Sequence, residues 1–171
     1  GALTMGALRA GNVLLGFLAA RPAGLPTGRE GLFLAAMFLY VMLLTLLSRL
    51  EEPPARPRAF TAVVIAMAVV VVAANAAFPP QSGHAQWVAL LLTLLPAVAF
   101  LYKGLGVSRE FDPGLVPVLV RMGVLGIIPL DAAAAVASGQ WSAAFLILFL
   151  LVPAIALVTG FVRIPGMDKA T

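Results

Sequence analysis

Cysteine is absent from the 171 residues, and histidine occurs once, at His84. Disulfide and thiolate chemistry are therefore excluded, and a lone imidazole cannot assemble a metal centre by itself. Charge is scarce as well. Charged residues make up 11% of the chain against 62% hydrophobic, and the mean hydropathy is +1.06. Such a chain has too little polar surface to cover a soluble globule, whereas a bilayer accepts long apolar runs. The net charge of +4 and the isoelectric point near 10.4 would fit a nucleic-acid binder in isolation. Most of the basic residues, however, stand at the ends of apolar segments and form no stripe interleaved with aromatics, so no nucleic acid is expected as a partner. Anionic lipid headgroups account for them.

What the sequence does have is six apolar segments, at about 2–20, 30–48, 59–78, 86–102, 114–137 and 141–162. Each is near the roughly 20 residues needed to cross ~30 Å of hydrocarbon as a helix. Between them lie RPAGLPTG (21–28), EEPPARP (51–57), FPPQSG (78–83), KGLGVSREFDPG (103–114) and SGQ (138–140), all rich in glycine, proline or polar residues. The pattern predicts an all-α fold, a polytopic transmembrane bundle of about six helices in a single domain over residues 1–171. The chain opens at Gly1 with no basic stretch or cleavage site ahead of its first apolar run, which reads as a piece of a longer polypeptide or a processed product.

If successive segments alternate in direction, one face collects Arg49, Arg56, Arg58, Lys103, Arg109, Arg163 and Lys169, and the other only Arg21 and Arg29. This asymmetry predicts that the first face, with the C-terminus, is cytoplasmic and that the protein is integral to the cytoplasmic membrane. Trp87 and Trp141 follow the links of the opposite face, where amphipathic rings favour the interface.

Arg9, Asn12, Arg121 and Asp131 fall within apolar segments, where an ionisable side chain needs a partner, a wet cavity or a route to the headgroups. At ~1.5 Å of rise per residue, Arg9 and Arg121 each lie roughly 10 Å in from the cytoplasmic end of their helices. Two readings fit: convergence into a site for a phosphate or carboxylate, or separate snorkelling to the headgroups. Asp131 follows Pro129 by two residues. That spacing favours a kink at the proline with Asp131 capping the continuation, over a proton-relay role. Asn75 and His84 read as helix-end and loop residues. The stretch TLLSRLEEPPARPR (45–58) is the densest knot of charge in the chain. Its Glu51 and Glu52 offer oxygen ligands for Mg²⁺, although adjacent helical residues diverge by about 100°; a basic interfacial loop with compensating acids reads the same way.

The stretches MGALRAGNVLLG (5–16), LYVMLLTLLSRLEE (39–52) and VRMGVLGIIPLDAAAA (120–135) together resemble, in order and spacing, the C-terminal portion of the UbiA-type membrane prenyltransferases, more narrowly the EboC-like branch. The resemblance implies a helical bundle around a cytoplasm-facing cavity, where aspartate-rich segments bind Mg²⁺ and the diphosphate of a polyprenyl donor. On that mapping Arg9 and Asn12 line the cavity; for an active enzyme Arg49, Glu51 and Arg121 are expected to join them as pocket residues, with Glu51 the candidate metal ligand. The place of the second aspartate-rich segment holds Ser48, Arg49, Glu51 and Glu52 instead of paired aspartates. Two functions follow as expectations: transfer of a prenyl group to a hydrophobic acceptor, or a catalytically silent subunit of a membrane complex that holds lipid or pigment. The implied partners are membrane lipids, an isoprenoid or other hydrophobic ligand, and other membrane subunits or a preceding helical half. Gly11, Gly16, Gly123 and Gly126 are expected on faces that pack against those partners. A transporter is the poorer reading, because no inverted pair of interrupted helices is visible.

Overall fold

The computed structural model describes residues 1–20, 28–50, 56–78, 83–109 and 111–162. All six apolar segments fold as helix, the sixth in two pieces, and no strand occurs among the described residues. The helices are α1 (Ala2–Ala20), α2 (Gly28–Arg49), α3 (Pro57–Ala74), α4 (His84–Arg109), α5 (Val116–Ala137), α6 (Trp141–Phe149) and α7 (Leu151–Val162). A 3₁₀ turn, Asn75–Ala77, prolongs α3, and another, Pro113–Leu115, leads into α5. Four helices, α2 to α5 with those turns, are long and apolar enough to cross a membrane; α1 and the α6–α7 stretch supply shorter apolar runs.

Local chemistry explains the ends. Pro57 stands at the start of α3, where its missing N–H costs nothing. Asp112 accepts from the Gly114 N–H at 2.9 Å, ordering the turn before α5. Gly139, at φ +76°, reverses the chain between α5 and α6. The α6–α7 break at Leu150 precedes Pro153, which has no N–H to offer the carbonyl four residues back. KGLGVSR was expected to break the fourth segment, yet α4 continues through it to Arg109. Gly104 faces Val64 so closely that an added Cβ would come within 2.6 Å of it, and a basic last turn suits a helix C-terminus.

The helices pack in sequence, α1 on α2, α2 on α3, α3 on α4, α4 on α5 and α5 on α6, with α2 also against α5. Phe60, Met37, Leu47, Met67 and Leu119 fill the centre. A second cluster of small residues, Ala89, Ala132, Ala133, Val136, Ala137 and Ala144, lets α4, α5 and α6 approach closely near the other end. The outer faces are greasy. Leu91, Leu95, Val98 and Tyr102, successive positions of one α4 stripe, are 64%, 73%, 63% and 83% exposed. A water-soluble bundle places polar residues on such a stripe; this one is a membrane-embedded bundle.

Gly123 and Gly126 do not face outward as expected. Gly123 is buried, and Cβ atoms on the two would lie 2.5 Å from Leu44 Cδ1 and 2.9 Å from the Tyr40 hydroxyl. They serve the α2–α5 contact within the chain. Gly11 does face open space, and the surroundings of Gly16 lie outside the described side chains.

Candidate functional site

Among the described residues, those named for a polar pocket take separate surroundings. Arg9 on α1 donates through a terminal guanidinium nitrogen to Asp131 Oδ2 on α5, forming an ion pair 122 residues apart in sequence. Arg121 is exposed on α5, ten residues and about 15 Å of rise from Asp131. The two arginines therefore do not converge. Asn12 is exposed on α1, and Arg49 is exposed at the last position of α2. Glu51 and Glu52 lie outside the described residues. Among the described residues, no group of His, Asp or Glu side chains is placed to hold a metal.

The cause is the register of α1. Gly6 packs so tightly on α2 that its Cβ would lie 2.8 Å from the Phe38 carbonyl oxygen. Counting along this antiparallel pair puts Gly1 level with Leu43, six residues short of the α2 end at Arg49. At ~1.5 Å per residue α1 therefore starts about 9 Å deeper than a flush helix would. The same ruler, read from Gly123 against Leu44, brings both Arg9 and Asp131 near Ala35 and Ala36 of α2. By that ruler Arg121 is level with Leu46, and a flush α1 would leave Arg9 near Val41, midway between Arg121 and Asp131; the shift brings it level with Asp131. Nor is Asp131 a cap: α5 runs unbroken through Pro129 to Ala137. Of the Arg9 donors, Nε is buried without a partner, so the pair lacks the two-pronged geometry of the strongest Arg–carboxylate contacts.

The chemistry-bearing space lies elsewhere. A cavity of about 360 Å³ is enclosed by α3, α4, α5 and the α6–α7 stretch, with Tyr40 of α2 reaching in. Met67, Phe100 and Leu130 give it an apolar wall, and none of its described lining residues carries a charge. Its size falls in the roughly 300–1,000 Å³ range of small-molecule pockets. Leu91, Leu95 and Ile155 line it and are themselves exposed, so the cavity is open to the apolar outer surface of the bundle. Two hydroxyls border it. Tyr40 donates to the Gly123 carbonyl at 2.7 Å, and Thr93 donates to Asn75 Oδ1 at 2.8 Å, with the Ala89 and Leu90 carbonyls also in reach. Asn75 in turn donates to the Val71 carbonyl at 3.1 Å. It does stand at a helix end, and it also ties α3 to α4.

Pro96 and Pro129 both line the cavity. Each lies thirteen residues from its helix's end at the α4–α5 turn, Arg109 and Val116 respectively, so the two prolines stand at matching depth in an antiparallel hairpin. That match was the signal in the sequence for this site, and Thr93 beside Pro96 was its polar companion; neither carried weight in the motif reading. Comparison with protein-family models, curated proteins and solved structures finds no match to this chain.

Proposed function

We propose that this protein is a catalytically silent holder of an isoprenoid or similar lipidic molecule, seated in the bilayer and acting as a subunit of a membrane assembly. The observation that carries the reading is the 360 Å³ cavity, uncharged among its described lining residues and open to the apolar outer surface of the bundle. A prenyl chain finds apolar walls there, but a diphosphate finds no cation among the described lining residues. The sequence resemblance to UbiA-type prenyltransferases supplies the isoprenoid class. Orientation follows the charge asymmetry, with the basic end in the cytoplasm.

The experiment is identification of lipids co-purifying with the protein, by mass spectrometry, in the parent chain and in variants that fill the cavity. Ala68→Phe and Ala99→Phe, both on the cavity wall, are expected to lose a stoichiometric lipid while keeping helical content. Purified protein supplied with a prenyl diphosphate, Mg²⁺ and aromatic acceptors is expected to show no turnover. Turnover that disappears in Glu51→Gln would move the conclusion to prenyl transfer, with Arg9, Asn12, Arg49 and Arg121 reconsidered around the metal.

A further inference from the structure

The polar inventory of the cavity is one-sided. Among its described lining residues the donor side chains are the Tyr40 and Thr93 hydroxyls, and both donate to acceptors within the protein. Acceptors are in surplus. Pro96 has no N–H for the Leu92 carbonyl one turn back, and Pro129 has none for the Leu125 carbonyl. Leu92 and Leu125 line the cavity as well, so each proline and the residue whose carbonyl it deprives of a helical N–H border the same space. In surroundings this apolar, a carbonyl without a donor is costly, and a ligand proton removes that cost.

We infer that the cavity selects an apolar chain ending in a hydroxyl, an isoprenoid-type alcohol that donates its proton to a carbonyl freed by Pro96 or Pro129. The inference rests on the holder reading above and names the ligand class for the same cavity. An ether, ester or quinone of equal length brings acceptors only, and gains nothing from an acceptor-lined wall. The hydroxyl enters with its chain through the gap bordered by Leu95 and Ile155.

The test compares radiolabelled farnesol with its methyl ether, each titrated against the full chain in phosphatidylcholine nanodiscs, with empty discs as the partition control. The alcohol is expected to bind about tenfold tighter, the gain from one hydrogen bond in a dry site. The double variant Pro96→Ala, Pro129→Ala returns an N–H to each carbonyl and gives each helix a better former, so folding is kept. In it the ratio of alcohol to ether affinity is expected to fall towards one while the ether is unaffected. Equal binding of the two ligands to the parent chain overturns the hydroxyl selection and leaves the holder reading standing. An alcohol preference that survives the double variant overturns the assignment to the proline-freed carbonyls. Binding of neither ligand, or binding that Ala68→Phe leaves unchanged, overturns the holder reading and this inference together.

Discussion

Arg9 and Asp131 place two opposite charges inside a chain with few charges, each side chain a little over a quarter exposed, at 27% and 29%. Removing one member leaves the other in apolar surroundings without compensation, and that asymmetry is the measurable property of the pair. Arg9→Ala or Asp131→Ala is expected to destabilise the fold by about 1–3 kcal/mol, between the values for exposed and fully buried pairs. The double variant Arg9→Leu, Asp131→Leu is expected to be less destabilised than either single change. Unfolding in a mixed detergent series, followed by circular dichroism, measures this; additive losses would mean that the charges act independently. Thr93 makes the complementary case for a neutral bond. Thr93→Val keeps the shape but strands Asn75 Oδ1, at an expected cost of about 1–2 kcal/mol in the same assay.

At the scale of the element, one glycine sets the position of a whole helix. A methyl group on Gly6 meets the Phe38 carbonyl, which is backbone and cannot rotate away, whereas at Gly123 it meets the flexible end of Leu44. Gly6→Ala is therefore expected to loosen α1 from α2 and break the Arg9–Asp131 pair, while α2 to α5 stay packed. Hydrogen exchange should then rise in α1 alone; an unchanged α1 would contradict the close approach. The same element shows what could be read from the sequence. Apolar length and proline or glycine punctuation located six helical segments, because hydrocarbon thickness and helical rise are fixed quantities, but not the split of the sixth at Leu150 or the run of α4 to Arg109. Helix register depends on a close contact 32 residues away, between Gly6 and Phe38, and no period within one segment encodes it. Arg9 and Asp131 were therefore recognised as needing partners but were not matched to each other. The cavity was missed for a related reason: Pro129 reads as a local kink and Pro96 was not weighed, and only the hairpin brings the two to one depth.

For the whole molecule, the antiparallel order of α2 to α5 puts the α2–α3 and α4–α5 connections at one end and the start of α4 at the other. Trp87, 68% exposed in the first turn of α4, and Trp141, 40% exposed at the start of α6, share that other end, as an interfacial aromatic belt requires. The lack of cysteine makes the arrangement directly testable, since any introduced thiol is the only one present. Ala59→Cys, Leu115→Cys and His84→Cys alter exposed positions without removing any of the lysines or arginines that set the charge asymmetry. A membrane-impermeant maleimide applied to intact cells is expected to modify position 84 and spare 59 and 115; inverted vesicles should reverse the pattern. Labelling of 59 and 115 from opposite sides would mean that α3 and α4 do not both cross the bilayer, and the cavity between them would no longer open to lipid. A consistent pattern of the opposite sense would keep the bundle and the cavity but reverse the orientation drawn from the basic residues, because the fold fixes which ends lie together while charge alone chooses the compartment they face.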